Sequence, residues 1–388
     1  MIIKSILDND LYKFTVSFAY MQKFPNALGT FTFVDRNNTV YTKEQYERIK
    51  CELMNMDVLH LSASEKEFMQ NKCYFIPPHY FEWLESYRYN PKQELSIGLD
   101  SEGHLSIHVT GLLYRITLWE VPILAIVSQI LSEFQGNINM KLVLSKTMYK
   151  AKIAEQENLK FSEFGTRRRA SYYTQDLVVE TLSKYAYNSL VGTSNCHFAH
   201  KYNLTPIGTH PHEWFMFHGA MYGYSNANYL ALTNWADVYD GDLGIALSDT
   251  YTSDVFFKNF SKRLAKLYDG VRQDSGDPFK FISKATKRYR ELGVDPSTKT
   301  IVFSDALTMD KAVEIKNNCQ GRIKCSFGIG THLTNDVELK PANIVMKLTS
   351  CQINKNNPIK DCIKLSDSEG KHLGPEKDIE ICKYECGI

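Results

Sequence analysis

Apolar positions recur along this chain in two rhythms, and the rhythm changes near residue 140. At the start, Leu11, Phe14, Phe18 and Met21 fall three or four apart, which predicts a helix capped by Asp8 or Asp10. That places Tyr12 and Lys13 in a solvated first turn. Residues 31–34 read as a strand, and 43–56 and 63–71 as amphipathic helices. Residues 93–111, QELSIGLDSEGHLSIHVTG, alternate apolar and polar positions around 100–103 and predict a hairpin. Residues 119–134 read as a buried helix. This first third has no repeat and reads as α+β.

After residue 140 comes a long polar helix, 141–159, then FSEFGTRRRAS, 161–171. Strand–loop–helix units follow. Strand 191–195 leads to CHFAHKY, 204–209 to GTHPHEW and a helix from HEWFMFHGAMYGY, and 244–249 to DVFFKNF. Strand 270–274 leads to SGDPFKFISKATKRYRELG, where Asp277 suits an N-cap and Pro278 the first helical position. Strand 300–303 leads to ALTMDKAVEIKNN, 323–327 to GIGTHLTND, and 343–348 closes the set. Such alternation predicts a parallel sheet with right-handed crossovers. Six or seven units in roughly 160 residues fit a closed or nearly closed β/α barrel, with an open doubly wound sheet as the alternative. The tail is polar, and its DIEICKYE reads as a strand.

Composition narrows the class. A chain of 388 residues holds about two to three domains. Its 43% hydrophobic and 23% charged content is that of an ordinary globular protein. A net charge of +1 offers no general polyanion surface, so no nucleic-acid partner is expected. Nine cysteines, an odd count without a secretory pattern, point to a reduced, cytoplasmic compartment. The longest apolar stretch, 121–131, is interrupted by Ser128 and Gln129 and is too short to span a bilayer.

In a β/α barrel, functional groups sit at the carboxyl ends of the strands. Here those ends carry Thr193 to Asn195, His212, Asp249, Arg272 with Asp274, Ser304 with Asp305, and Gly328 to Thr331. Turn chemistry accounts for the glycines and some aspartates, but not for His212 or Arg272. GIGTHL can cradle a phosphate with backbone N–H groups and the Thr331 hydroxyl, and it lacks the lysine of a Walker loop. DSGDP offers carboxylates for ribose hydroxyls or Mg²⁺, with Asp277 absorbed by the cap. FGTRRR is either a solvated helix start or a Phe164 face and guanidinium groups that hold a flat anion. A rival reading makes His210 and His212 zinc ligands, completed by Asp249 and His332, although Pro211 counts against it. Cys362, Cys382 and Cys386 leave a zinc knuckle as a lesser alternative to ordinary thiols.

The ordered set LDNDLYK, LWEVPILAI, FGTRRR, GTSN, PIGTHPHEW, VRQDSGDP, FSDAL, FGIGTHLTND and KLS resembles the nicotinate phosphoribosyltransferases. It covers most of the chain apart from parts of 35–90 and the last twenty or so residues. The resemblance implies an α/β fold, with an irregular β/α barrel (136–345) attached to an α/β sandwich domain formed by N- and C-terminal segments (1–135 and 346–388). It implies a homodimer with shared active sites, Tyr12 covering the pyridine ring bound in the partner subunit and Phe164 covering the other face. The implied reaction, part of NAD biosynthesis, joins nicotinate to phosphoribosyl pyrophosphate. ATP is hydrolysed alongside with Mg²⁺ present, through a phosphohistidine that GTxxHEW matches to His212. This is a ligase-type C–N bond formation, with no metal held by the protein alone. Asp249 is the expected orienter of His212. Arg167 and Arg272 match arginines that hold phosphates or the ligand carboxylate. Asp274 matches a ribose-binding aspartate, with Ser275 and Ser304 beside the donor. Gly328, Gly330 and Thr331 match the ribose phosphate loop, and Asp305 is either part of that site or a helix cap. A nicotinamide site needs an acceptor for the amide N–H. GTSN supplies Thr193 and Ser194 and no acid, which favours the nicotinate carboxylate.

Overall fold

The computed structural model describes residues 1–368 and 370–388. These form two compact units, each drawn from three stretches of chain.

The first unit comprises Met1–Phe18, Thr30–Gly208 and Ile329–Lys347. Its strands are β1 (Leu28–Asp35), β2 (Leu95–Leu99), β3 (Leu105–Leu112), β4 (Phe161–Glu163) and β5 (Leu190–Thr193). The expected hairpin is β2–β3, antiparallel, in register from Leu95↔Val109 to Leu99↔Leu105. Period-two alternation buries Leu105, Ile107 and Val109 on one face of β3. β1 is the next strand beyond β3. β4 and β5 pair in parallel.

The core helix is Glu120–Gln135, buried without interruption from Glu120 to Ser132. It continues a helical run, Leu113–Gln135, whose 23 residues are long and apolar enough to cross a membrane, so the short-stretch argument does not hold. Since 94% of its apolar window is buried, it serves instead as a core helix.

The second unit comprises Ala19–Gly29, Thr209–Gly328 and Leu348–Ile388. Its strands β6 (Ile245–Leu247), β7 (Gly270–Gln273), β8 (Thr300–Phe303) and β9 (Lys324–Ile329) lie side by side in that order, all parallel. The helices predicted between them are present. Asp277 caps the helix Pro278–Glu291 by accepting from Phe279 N and Lys280 N, with Pro278 at its first position. Thr308, not Asp305, caps the helix Met309–Cys319.

Three strand expectations fail. Residues 204–209 form only an isolated bridge, Thr193↔Pro206, because proline has no N–H to extend a ladder. Residues 343–348 open β10 (Ile344–Gln352), whose end pairs antiparallel with β11 (Lys360–Asp361), so they do not close the parallel set. DIEICKYE lies in a helix, Glu376–Cys386, with acids in its first turn, Lys383 in its last and Gly387 in the left-handed conformation after it.

Candidate functional site

His212 opens the helix His212–Tyr222, directly after Pro211. Aromatic packing fixes that helix from behind. Tyr20 meets Trp214 and Phe217 edge-on at 5.2 and 5.4 Å, and Trp214 Nε1 donates to the Ala231 carbonyl at 2.9 Å. Each ring pair contributes about 0.5–1.5 kcal/mol beyond burial, so the imidazole has a rigid mount.

Thr250 Oγ1 lies 3.0 Å from His212 Nδ1, while Asp274 Oδ2 and Lys364 Nζ lie 3.1 and 3.0 Å from Nε2. An ammonium only donates. Its contact with Nε2 needs the ring lone pair, whereas the ionised Asp274 carboxylate can only accept there, so Lys364 and Asp274 compete for Nε2, and the Thr250 hydroxyl can pair with Nδ1 as donor or acceptor. Burial, and then the Lys364 charge, depress the His212 pKa against the pull of Asp249 and Asp274. Burial and the Lys364 charge thus favour the neutral ring.

Burial works against ionisation of Asp274, but the Arg272 guanidinium and His212 hold it well below the usual carboxylate range. Arg272 Nη2 reaches Asp274 Oδ1 at 2.7 Å, Nε donates to Ser304 Oγ at 2.8 Å and Nη1 to Thr209 Oγ1 at 2.7 Å. Ser304 donates in turn to Asp274 Oδ1 at 2.6 Å. Asp249 Oδ2 accepts from Ser275 at 2.5 Å. Its Oδ1 is buried without a hydrogen bond, 3.7 Å from His212 Nε2. Asp249 thus lies beyond hydrogen-bond reach of the imidazole, whose direct contacts are Thr250, Asp274 and Lys364. Lys364 is anchored through an isolated bridge to Leu373 and through Leu365 N donating to the Thr250 carbonyl at 2.8 Å. Asp305 pairs with Lys371 at 3.1 Å.

Among the described residues, His212, Asp249 and Asp274 are the one group of His, Cys, Asp and Glu with metal-ligating spacing, their ligand atoms all within 4.8 Å. His210 is not part of it. That ring packs against Trp235 at 4.5 Å, and burial pushes its pKa down to about 3. This removes His210 from the zinc reading, and the cysteines form no such group among the described residues.

The first unit holds another cluster. Of three successive arginines, Arg169 is fully buried and paired fork-to-fork with Asp8 at 2.7 and 2.9 Å, with Asn195 Nδ2 donating to Asp8 at 2.8 Å. Lys13, expected in a solvated turn, is fully buried and ion-paired with Glu120, and it donates to Thr117 at 3.2 Å. Glu120 Oε1 also accepts from the Tyr12 hydroxyl at 3.2 Å and stands 3.5 Å from Arg167 Nη1. Burial opposes its charge, but Lys13 and Arg167 keep its pKa below the ordinary value.

Thr193 donates to Glu163 Oε2 at 2.6 Å and Ser194 to Asp10 Oδ1 at 2.8 Å, so both hydroxyl protons go to buried carboxylates. Burial pushes Glu163 up to about 7 and raises Asp10. Phe164, Arg167, Gly330 and Thr331 stay partly exposed, and Gly328 lies buried on β9. Gly208 lets the chain pass close to the first helix, because a Cβ there would stand 3.1 Å from Tyr12 N. Sequence reasoning did not single out Lys364, Thr250, Glu120 or Glu163. Lys364 and Glu120 do lie within the KLS and LWE stretches that carried the resemblance.

The profile of the nicotinate phosphoribosyltransferase (NAPRTase) family matches residues 159–380, and that of the NAPRTase N-terminal domain matches 7–128. The nicotinate phosphoribosyltransferase of Desulforapulum autotrophicum is 42% identical over 382 residues, 98% of each chain. That of Chromohalobacter salexigens is 43% identical over 385 residues, 98% of this chain and 97% of its own. The crystal structure of the Porphyromonas gingivalis nicotinate phosphoribosyltransferase matches all of both chains with a TM-score of 0.98 at 49% identity. The mixed α/β chain therefore belongs to the nicotinate phosphoribosyltransferase family.

Proposed function

We propose that the protein transfers phosphoribosyl from phosphoribosyl pyrophosphate to the ring nitrogen of nicotinate, and that ATP hydrolysis through phosphorylated His212 accompanies the transfer. Family membership over nearly the whole chain supports the transfer. The observation carrying the ATP step is the His212 ring, neutral and with Nε2 beside the Lys364 ammonium. The Nε2 lone pair attacks the γ-phosphorus, the bond to the bridging oxygen breaks, and ADP leaves with the electron pair. Asp274 and Asp249 offset the charge that develops on the imidazole, Thr250 pairs with Nδ1, and Lys364 faces the incoming phosphoryl oxygens. Water later cleaves the P–N bond.

Asp249 and Asp274 fit Mg²⁺, since that ion prefers carboxylate oxygens and Asp249 Oδ1 is a buried oxygen without a hydrogen bond. Bound there, Mg²⁺ would neutralise phosphate charge. Glycosyl transfer breaks the C1–O bond to pyrophosphate as the pyridine nitrogen adds, so it depends on positioning. In this reading Phe164 and Arg167 receive the aromatic acid, and Gly330 and Thr331 receive the ribose phosphate. The reading includes a homodimer in which Tyr12 serves the partner subunit, and a cytoplasmic location.

The test is product formation from labelled nicotinate and labelled nicotinamide, each with phosphoribosyl pyrophosphate and Mg²⁺, with and without ATP. Nicotinate mononucleotide formed faster with ATP is the expected result, and turnover of nicotinamide alone overturns the acid assignment. His212→Ala should take up no label from γ-labelled ATP. Full labelling of that variant overturns the phosphohistidine.

A further inference from the structure

Within the first unit, two loops that the sequence separates by more than 150 residues are tied together backbone to backbone and side chain to backbone. One is the Phe164–Arg169 stretch, with its half-buried aromatic ring and the partly exposed Arg167. The other begins at Gly330 and Thr331 and runs through the short helix Thr331–Thr334. Phe164 N donates to the Ile329 carbonyl at 2.8 Å, and Ala170 N to the Thr334 carbonyl at 3.0 Å. Thr334 Oγ1 donates to the Gly165 carbonyl at 2.9 Å, and Asn335 Nδ2 to the Arg168 carbonyl at 2.8 Å. Thr334 is fully buried and Asn335 nearly so. The contact leaves no room for a side chain at position 165. A Cβ there would run into Thr334 Oγ1 and Cγ2 and stand 2.8 Å from Glu163 Oε1.

The second loop is also pinned from its far side. Lys150 Nζ donates to the His332 carbonyl and, at 2.8 Å, to Asp336, whose other oxygen takes Lys146 at 2.9 Å. With one loop held against the other and against a helix, neither can shift alone.

We propose that Thr334, with Asn335, is a clasp that couples occupancy of the two loops, so that a phosphate on Gly330–Thr331 tightens binding of an aromatic carboxylate at Phe164–Arg167, and the reverse. The proposal rests on the substrate reading above and adds positioning residues that touch neither ligand. The physical reason is linkage. A ligand that draws one loop toward its bound position moves the other through these bonds, and the coupling is reciprocal, typically 5- to 150-fold.

The experiment is calorimetric titration of the full-length protein with nicotinate, alone and with saturating ribose 5-phosphate. That probe carries the phosphate but no leaving group, so no transfer intervenes. We expect each ligand to tighten the other roughly 10-fold in the unsubstituted protein. Thr334→Val keeps the shape but loses the hydroxyl donor, and coupling should fall about fivefold, while Thr334→Ser should retain it. Asn335→Ala, read the same way, serves if Thr334→Val does not fold. Loss of coupling in Thr334→Val or Asn335→Ala, with each ligand still binding singly, supports the clasp. Unchanged coupling in the folded variants, even with a lowered melting temperature, reduces it to a structural contact and overturns the proposal. Absence of nicotinate or ribose 5-phosphate binding in the unsubstituted protein overturns the substrate reading itself, and the clasp with it.

Discussion

Replacing Lys364 by methionine tests the electrostatics around His212 without relying on any reaction. The Lys364 ammonium stands 3.0 Å from His212 Nε2, with Asp274 Oδ2 at 3.1 Å and Asp249 Oδ1 at 3.7 Å. At an effective dielectric of about 20, two unit charges that close interact by roughly 5 kcal/mol. The two carboxylates absorb part of this, and a single close charge moves a pKa by about 1–3 units. The sign is fixed. A positive neighbour disfavours imidazolium, so removing it leaves both carboxylates acting on the ring and raises its pKa. Methionine preserves the length of the stem and adds no donor. We expect the His212 midpoint to rise by about 1–3 units in Lys364→Met and by far less in Lys364→Arg, which keeps the charge. The assay is an NMR titration of imidazole-labelled protein, with His212→Gln to assign the resonance. Phosphorylation from γ-labelled ATP should then slow in Lys364→Met about tenfold for each unit by which the midpoint exceeds the assay pH. An unshifted midpoint in Lys364→Met would falsify the claim that this ammonium keeps the ring neutral.

Other perturbations bear on the first unit. Tyr12→Ala should raise the KM for nicotinate more than that for phosphoribosyl pyrophosphate, and equal KM values in variant and parent return Tyr12 to a purely structural role. Asp8→Asn leaves the Arg169 guanidinium buried without its counter-charge and should cost about 3–5 kcal/mol in urea unfolding; a change under about 1 kcal/mol contradicts the pairing. Glu163 holds its proton up to about pH 7 in the folded state and to about 4.5 when unfolded. Its contribution is therefore full below about pH 4.5 and is lost as pH rises to about 7, a decline of up to about 3 kcal/mol. Glu163→Gln should flatten that decline across unfolding midpoints measured from pH 5 to 8, and an identical slope in both proteins rules it out.

What the sequence made legible follows from how local each signal is. The parallel strands β6 to β9 were found within a few residues because each is an apolar run ending in turn residues. The Asp277–Pro278 helix start was found because cap and first turn are adjacent. The failures share a non-local cause. β10 has the same alternation whether its partner is parallel or antiparallel, and the pairing with β11 that makes it antiparallel is not written in β10 itself. Lys13 and Arg169 look like solvated charges until Glu120 and Asp8 arrive from 107 and 161 residues away. The tail helix was missed for a different reason. Cys382 and Cys386, spaced i, i+4 and both buried, lie on the inner face of a helix that Gly387 ends, whereas DIEI alternates as a strand does.

The same non-locality changes where acid selectivity comes from. GTSN carries no acid, and hydroxyls with arginines suit a carboxylate ligand, but the Thr193 and Ser194 hydroxyl protons go to Glu163 and Asp10. Buried charges lie beneath the loop. Asp8 answers Arg169, and Glu163 holds its proton up to about pH 7. Asp10 is raised by burial, with Arg167 pulling the other way. Glu120 must serve both Lys13 and Arg167, with Lys13 the closer. Arg167 is the more exposed of the two cations beside Glu120. A carboxylate on a flat ring gains a charge-assisted, fork-shaped contact from such a group, whereas an amide there meets only donors with its own N–H. On the substrate reading proposed above, selectivity for the acid depends on the buried charges beneath the loop as well as on the loop hydroxyls. Substitutions at Asp10 or Glu120 should shift the ratio of acid to amide binding further than substitutions at Thr193.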